Sequence, residues 1–465
     1  MKKIFYLASS CLMAIAMFSC DKDSTEVSVA EVIVGSKFTG DTLKAGSSIK
    51  GTIPSRTAPY YMTGDVTVNE GDTLYIQKGV KIIVIGNQSS TSTFGQATNN
   101  PTFFIKGSLL VVGTQDAPVE FTINDNLKGD QTTLQDPATD PAFKGYWGGF
   151  NCDAANLAVF KWAKVSYIGG PWGANPPTGY SAGDPKYGIS YLASKTNATL
   201  VVEDSYFYGS VDDCIRTQNV KLSIMRSKFA KTGKSGGEAI NMKDGSTGDV
   251  AFNLFVGGAT NGVKAASVSG TTHQTNINTY NNTILNTGYR QTKQGRGGSI
   301  NYETLAKGNI YNNMIVNCHF GLRLRSPEYP DTTNIKYGYQ YYYGATSDLV
   351  AEFNAATTGS VTRNQATDVK GGVGENDPSF KSFTLNLAAG TTAAPSDEAK
   401  RTNFFRSTDD LKLNATSKAL NKGYTGFSPV NSVANLNVNG IFKPTVSNPG
   451  KDAGAYQADN SGNLQ

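Results

Sequence analysis

The chain has 465 residues, of which only 17% are charged, and its 42 Lys and Arg residues exceed its 37 Asp and Glu residues by a formal charge of +5. This mild excess does not indicate nucleic-acid binding, and the sequence contains no RNA- or DNA-binding motif. The 50 glycines and 23 tyrosines are typical of a secreted β-protein and argue against a disordered chain.

Residues 1–19 are predicted to be a lipoprotein signal peptide, because two lysines precede an apolar run that is short for a membrane span. The run ends in Met17-Phe18-Ser19-Cys20, which resembles a bacterial lipobox, although Met17 and Ser19 depart from the usual residues. The resemblance implies cleavage before Cys20, lipidation of Cys20 and a membrane anchor. The alternative is a plain secreted protein in which Cys20 is an ordinary cysteine.

Residues 20–47 are predicted to contain the lipidated cysteine and a tether that leads into a first strand. From residue 48 onward, short segments with period-2 alternation are separated by Gly and Pro turns. Examples are Gly71-Asp72-Thr73-Leu74-Tyr75-Ile76 and Ala117-Pro118-Val119-Glu120-Phe121-Thr122. No amphipathic pattern of helix length fills the gaps between these strands.

One phrase returns six times in the middle of the chain: a small residue, a large apolar residue, then a polar or basic residue. The apolar members are Ile189, Ile215, Ile240, Val263, Tyr289 and Leu322. Their spacing lies mostly in the twenties, which indicates a solenoid, and the strand-like phrases favour a parallel β-helix. Asparagines at like positions in successive repeats are predicted to stack as amide ladders: Asn282 with Asn313, and Asn286 with Asn317.

These segments, together with Gly145-Tyr146-Trp147-Gly148-Gly149 and Asp452-Ala453-Gly454-Ala455-Tyr456, resemble the pectin-lyase-like β-helix lipoproteins common in Bacteroidetes. The resemblance implies an all-β, right-handed parallel β-helix over residues 48–370 with loop excursions, and C-terminal coils and a cap over 371–465. It also implies an outer-membrane protein, anchored by lipid and exposed at the cell surface. Activity does not follow from it, because parallel β-helices have many functions.

In each repeat the apolar residue is expected to point inward and the next residue outward. Stacking then produces an outer column of mostly basic side chains: Ser190, Arg216, Asn241, Lys264, Arg290 and Arg323. Two places further on, a second column is expected: Gln218, Lys243, Ala266, Thr292 and Arg325. Stacked cations ~4.8 Å apart repel by roughly 0.9 kcal/mol even in water, which favours an anionic partner. The alternative is a solvated face whose charges are balanced by carboxylates: Asp212, Asp213, Glu238 and Asp244.

Aromatic residues near this face suggest a glycan site, because their rings can stack on sugars. Trp172 lies in a long loop at residues 171–187, and Tyr341 lies in a cluster of tyrosines between Tyr337 and Tyr343. The alternative is that these rings pack against the wall of the solenoid.

Asp212-Asp213-Cys214-Ile215 resembles the Asp-Asp-Cys segment of polygalacturonases, which are also parallel β-helices. The resemblance implies that Asp212 and Asp213 act as general acid and as base for an attacking water. Two features of that family are missing, however: its Asn-Thr-Asp segment one coil earlier, and its Gly-His-Gly segment, which is replaced near Glu238. The alternative is a turn with two exposed acids.

A polysaccharide lyase is a second enzymatic hypothesis. β-Elimination needs a base and positive charge on the uronate carboxylate, often from Ca²⁺, and the candidate basic residues are Lys243, Lys264, Arg290 and Arg323. No metal site is predicted, because the sequence has no compact cluster of acids. Cys152, Cys214 and Cys318 are predicted to be buried, with at most one disulfide.

The sequence therefore predicts a lipid-anchored surface protein that binds a polysaccharide, or helps to process one, along an elongated face of the β-helix. The basic column favours an acidic polysaccharide. No cofactor is predicted, and only the lyase hypothesis calls for Ca²⁺. A glycoside hydrolase or lyase is one alternative. A structural or adhesive protein is another, and it would show carboxylates interleaved with the basic column and no groove.

Overall fold

Three parallel sheets of 11, 10 and 10 strands run through the part of the chain that the structure describes. That structure is a computed structural model, and it describes residues 32–86, 100–133, 135–268, 273–293, 295–325, 328–354, 356–357, 360–361, 363–385, 387, 390–401, 406 and 408–465. In each coil the chain passes through the first, the second and the third sheet in turn. The fold is a right-handed parallel β-helix, which confirms the predicted fold class.

The strands of each sheet are short and follow one another at coil intervals. The first sheet contains Thr42–Leu43, Tyr60–Met62, Lys81–Val84, Val119–Thr122, Ala163–Ile168, Tyr206–Ser210, Lys228–Thr232, Leu254–Val256, Thr283–Leu285, Met314–Val316 and Tyr341–Tyr343. The second contains Ser47–Ser48, Val66–Val68, Thr102–Ile105, Gly149–Asn151, Ile189–Leu192, Ile215–Gln218, Ile240–Lys243, Val263–Ala266, Ile300–Glu303 and Arg323–Leu324. The third contains Gly51–Ile53, Thr73–Gln77, Ser108–Val112, Leu157–Lys161, Thr199–Glu203, Lys221–Met225, Thr247–Ala251, Asn276–Tyr280, Gly308–Tyr311 and Ile335–Gly338.

The remaining elements are small. Two antiparallel pairs are formed by Ala356–Thr357 with Ser360–Val361 and by Phe380–Ser382 with Asp410–Leu413. The α-helices are Ser347–Ala351 and Glu398–Arg401, and the 3-10 helices are Asp125–Leu127, Pro141–Phe143, Glu352–Asn354 and Pro395–Asp397. In the described part of the chain, no helix has both the length and the apolar character needed to cross a membrane.

Alternate residues of every strand point into the coil and stack on their counterparts above and below. The rings of Phe207, Phe229 and Phe255 form one such stack in the first sheet, with centroids 5.3 and 5.2 Å apart. Burying each ring contributes about 1.5–3 kcal/mol. The thiols of Cys152, Cys214 and Cys318 are buried in the same interior and form no disulfide.

An amide ladder closes the turn from the third sheet to the first. The Asn253 side chain donates to Asn282, which donates to Asn313, which in turn donates to Gln340, at 3.1, 2.9 and 3.1 Å. This confirms the predicted stacking of Asn282 on Asn313. Asn286 and Asn317 occupy a different turn, where their φ angles of 51° and 50° suit asparagine.

Residues 424–465, here called the C-terminal strap, run back along the outside of the solenoid. The backbone N–H groups of Val430 and Asn431 donate to Asp249, and that of Thr445 donates to Glu203. Further along, Gln465 reaches the carbonyl of Arg226. The strap therefore covers part of the outer surface of the third sheet. The predicted signal peptide and Cys20 lie outside the described residues.

Candidate functional site: the polar corner

The longest connections of the coil lie between the first and second sheets. Residues 169–188 separate Ala163–Ile168 from Ile189–Leu192, and residues 286–299 separate Thr283–Leu285 from Ile300–Glu303. Turns at the same corner contain Asp212, Asp213 and Glu238. We call this turn and the adjoining outer face of the second sheet the polar corner. Its members are Asp212, Asp213, Arg216, Glu238, Asn241, Lys243, Asn261, Lys264, Asn301, Glu303, Arg323 and Arg325.

The strand register builds most of the predicted outer column. The residues that pair in sequence are Ser190, Arg216, Asn241, Lys264, Asn301 and Arg323. The column covers six coils, or about 24 Å at the usual strand spacing. Asn301 therefore occupies the place that the sequence pattern assigns to Arg290, and Glu303 occupies the one assigned to Thr292 in the second column.

The prediction for Arg290 is wrong because the phrase Gly288-Tyr289-Arg290 lies in a loop and not in a strand. The Arg290 guanidinium is buried, donates to the carbonyls of Gly233 and Gly257 at 2.8 Å each, and pairs with Glu398. Its contacts tie the loop to a neighbouring turn and to the C-terminal region. Arg290 is thus a structural residue on the other side of the corner.

A second ladder of polar side chains lies at the start of three strands of the second sheet, two residues before the inward-facing apolar residue of each strand. Its members are Asp213, Glu238 and Asn261 in three successive coils. The Asn241 amide donates to both carboxylates, at 2.8 Å to Asp213 and 3.2 Å to Glu238, and the Asn261 amide donates to Glu238 at 3.3 Å. The Glu238 backbone N–H donates to Asp213 at 2.8 Å, and the two carboxyl groups are placed to hydrogen-bond to each other when one of them is protonated. We infer that one proton is held between them.

The environment separates the pKa values of these acids. Burial raises the pKa of Glu238 to about 8, and the neighbouring charge of Asp213 adds to the rise. Burial opposes ionisation of Asp213 too, but hydrogen bonding with Glu238 and the charge of Arg216 outweigh it, so the pKa of Asp213 is lowered. Near pH 7, Glu238 is thus the neutral donor and Asp213 the ionised acceptor.

Asp212 is the half-buried acid beside this pair. Burial, followed by repulsion from Asp213, raises the pKa of Asp212 to about 7. Gly237 permits the close approach of the two turns, since a Cβ at that position would lie 2.5 Å from the Asp212 backbone carbon. Asp212 is therefore a carboxyl group that is partly protonated near neutral pH.

Carboxylates are interleaved with the basic column. Arg216 pairs with Asp213 at 3.1 Å, and Lys264 lies between Glu303 at 2.9 Å and Glu238 at 3.7 Å. Arg325 pairs with Glu303 at 3.2 Å. The protein therefore relieves part of the charge repulsion within the column, as the structural alternative expects.

Hydrogen bonding at the corner is incomplete. The side-chain oxygens of Asn241, Asn261 and Asn301 are buried and accept no hydrogen bond from the described residues. Such an unpaired acceptor costs about 1–3 kcal/mol. The adjoining cavity, lined by Glu238, Asn261 and Lys264 among others, measures about 10 Å³, the space of roughly one water. The corner thus lacks internal partners for three acceptors.

The predicted aromatic residues are placed differently. Trp172 is only 6% exposed, because its ring packs against Tyr180 at 4.7 Å and lies near the Lys186 ammonium. Tyr341 is fully buried in the last strand of the first sheet. A ring that does border the corner is Tyr187, over which the Arg216 guanidinium stands at 4.7 Å. Of the other predicted residues, Arg216, Lys264 and Arg323 lie at the corner with Asp212 and Asp213.

Metal binding finds little support at this corner. Within the described ranges, no group of three His, Cys, Asp or Glu side chains is arranged to hold a metal ion. The Lys264 ammonium also stands between Glu238 and Glu303, so a Ca²⁺ ion would have to displace it. No protein-family model matches the sequence, and no curated protein matches it either.

From the sequence, Glu238 is expected only as a balancing charge, and no pattern singles out Asn261, Asn301 or Glu303. A signal for Glu238 is nevertheless present, since Asp213 and Glu238 are separated by the same interval as Ile215 and Ile240. The interval places both acids at one position of successive coils. Asn301 and Glu303 were hidden by the misplaced repeat at Arg290.

Proposed function

We propose that the polar corner binds an acidic polysaccharide and that the chain is a lipid-anchored glycan-binding protein of the bacterial cell surface. The carrying observation is an imbalance of charge. Five cations, Arg216, Lys243, Lys264, Arg323 and Arg325, face three carboxylates: Asp213 and Glu303, whose pKa values are lowered, and Glu328, which pairs with Arg325 at 3.3 Å. Asp212 and Glu238 add less negative charge, because their pKa values are raised. An anionic ligand would balance this excess.

Lys243 illustrates the shortage of negative charge. Burial, followed by the positive charge of Lys264, lowers the pKa of Lys243, and the opposing attraction of Glu303 is weaker. The ends of Lys243, Arg216 and Arg325 are the partly exposed ones, so they would meet uronate or sulfate groups spaced along a chain. The interleaved carboxylates also suit a structural protein, but the unpaired asparagine oxygens favour an external or hydrated partner.

The test is affinity electrophoresis of residues 21–465 at pH 6 in gels containing neutral or acidic polysaccharides. The double variant Lys243→Gln with Arg325→Gln is expected to bind an acidic polysaccharide about tenfold more weakly or worse, because two charge-assisted contacts are lost. The charge-matched control, Lys221→Gln with Lys336→Gln on the third sheet, should bind normally. Equal retardation of both variants, or no retardation of the wild type by any acidic polysaccharide, would refute the proposal.

Glycoside hydrolysis is a second candidate, favoured by Asp212. A half-buried carboxyl group with a pKa of about 7 beside an ionised one is the combination that acid catalysis of glycoside cleavage uses. Reducing ends should be followed in the binding samples. New ends that disappear in Asp212→Asn, a variant that retains binding, would establish hydrolysis. New unsaturated sugars would instead indicate a lyase, and the absence of both products would leave binding alone.

The anchor has its own test. Labelled palmitate added to cells that express the full chain should enter the wild type and not Cys20→Ser. Protease added to intact cells should degrade the anchored protein if it is surface-exposed. Equal labelling of both chains would disprove lipidation at Cys20, whatever the outcome of the glycan experiment.

A further inference from the structure

Two adjoining cavities lie on a different edge of the solenoid, at the turn from the third sheet to the first. They measure about 670 and 620 Å³ and share Trp162 and Asp204 in their linings. We call them together the Trp162 cleft. Each of them is in the size range of known ligand sites, and none of their lining residues belongs to the polar corner.

This turn has a residue with positive φ in each of several successive coils. The residues are Trp162, Asp204, Arg226, Phe252, Asn281, Asn312 and Tyr339, with φ between 50° and 61°. Asparagine tolerates this conformation, whereas a bulky residue adopts it at some cost. Aromatic residues at three of these positions therefore suggest that ring side chains are useful at this edge.

The C-terminal strap covers two of the three rings. Phe252 is buried, and Tyr339 stacks on Tyr424 of the strap with centroids 4.9 Å apart and planes 11° apart. Trp162 is different. It is partly exposed, no ring of the described residues stacks on it, and its indole N–H donates no hydrogen bond to them. Trp147 and Trp172, in contrast, are buried.

The lining around Trp162 is rich in hydrogen-bonding groups. One side presents strap residues, namely Ser447, Asn448, Asn460 and Ser461. The other side presents Gln115, Gln131, Lys164, Tyr206 and Lys228. Lys161 and Arg226 both pair with Glu203 and Asp204, and further positive charge comes from Lys164, Lys228, Arg406 and Lys451 in the lining. Hydroxyl and amide groups thus surround a free aromatic face.

We propose that the Trp162 cleft is a second glycan-binding site, in which a short saccharide segment stacks on the Trp162 indole. The apolar face of a sugar ring matches the exposed ring, and the sugar hydroxyls match the surrounding amide and hydroxyl groups. Neither ring stacking nor hydrogen bonding to hydroxyl groups needs a charge on the sugar, so we expect a neutral saccharide at this cleft. This site does not depend on the function proposed for the corner.

Acrylamide quenching of tryptophan fluorescence tests the proposal, because Trp162 is the most accessible tryptophan of the chain's three. The full chain is titrated with neutral hexasaccharides of glucose, xylose, mannose and N-acetylglucosamine, and with a hexagalacturonate. At least one neutral probe is expected to lower the quenching constant about twofold in a saturable manner. Protection by the hexagalacturonate alone, or none by any probe at 10 mM, would overturn the proposal.

Two variants test whether the protection from quenching arises at the Trp162 cleft. Trp162→Phe retains a ring but should remove the protectable emission, and Tyr206→Ala should weaken protection about fivefold to tenfold while leaving Trp162 in place. Undiminished affinity in Tyr206→Ala together with unchanged protection in Trp162→Phe would contradict the cleft as the site. Lys243→Gln with Arg325→Gln should leave protection unchanged, so failure of the polar corner and failure of the cleft are distinguishable.

Discussion

Two ladders of polar side chains run along this solenoid, at two of its turns, and they differ in almost every physical respect. The amide ladder at the turn from the third sheet to the first repeats neutral side chains, and Asn282 donates to two carbonyls and to Asn313 while accepting from Asn253. The ladder at the polar corner changes residue at each step, from Asp213 to Glu238 to Asn261. Its acids have shifted pKa values, and the Asn261 oxygen accepts nothing from the described residues.

The contrast separates polar groups that stabilise the coil from polar groups that serve something else. A fully paired, repeated amide closes a turn and adds rigidity. A ladder with a shared proton, unpaired acceptors and excess cations is costly to fold, and such sites cluster where a protein binds or reacts. The two ladders therefore allow the same substitution to be compared at equal burial.

The largest expected effect comes from Asn282→Ala paired with Asn261→Ala. Asn282→Ala leaves donors and acceptors of two neighbouring coils unpaired and should lower the free energy of unfolding by about 2–4 kcal/mol. Asn261→Ala removes one 3.3 Å hydrogen bond and also removes an unpaired acceptor, so its cost should stay below about 1 kcal/mol. Urea unfolding at one pH measures both.

Ligand binding should show the reverse order. Retardation by an acidic polysaccharide should change little in Asn282→Ala under conditions where it is folded, and more in Asn261→Ala. If the two variants lose equal stability, the corner ladder is as well paired as the amide ladder, and the argument for a ligand there loses its support.

The sequence permits prediction of the coil but not of every strand. Asn282 and Asn313 were predictable because a parallel β-helix stacks like residues, and Ile189, Ile215, Ile240 and Val263 were placed in register by their spacing. Arg290 was misplaced because a loop repeats the local phrase. Short-range pattern contains no information on whether the chain pairs with the coil below.

The candidate site was predictable only in part, for a related reason. Outward-facing positions follow from strand alternation, so Arg216 and Lys264 were found. Burial of a ring depends on how loops and distant segments pack: Tyr341 is covered by C-terminal residues, and Trp172 packs against Tyr180 of its own loop and near Phe104 of the second sheet. The pKa shifts likewise arise from packing between coils, which spacing alone does not show.

A smaller effect sharpens the comparison through pH. The pKa of Glu238 is raised to about 8 in the fold, against an ordinary value of 4.5, so the folded chain retains a proton that the unfolded chain releases. The stability from protonated Glu238 is fully present below about pH 4.5 and is lost as pH rises through 8, with a slope of at most about 1.4 kcal/mol per pH unit. Glu238→Gln keeps a neutral donor and should flatten this fall between pH 5 and 8 in urea unfolding.

The amide ladder has no titratable member, so Asn282→Ala should shift the whole curve of unfolding free energy against pH downward without changing its slope. If Glu238→Gln shows the slope of the wild type, no proton is held between Asp213 and Glu238, and the cation excess at the polar corner is smaller by one charge.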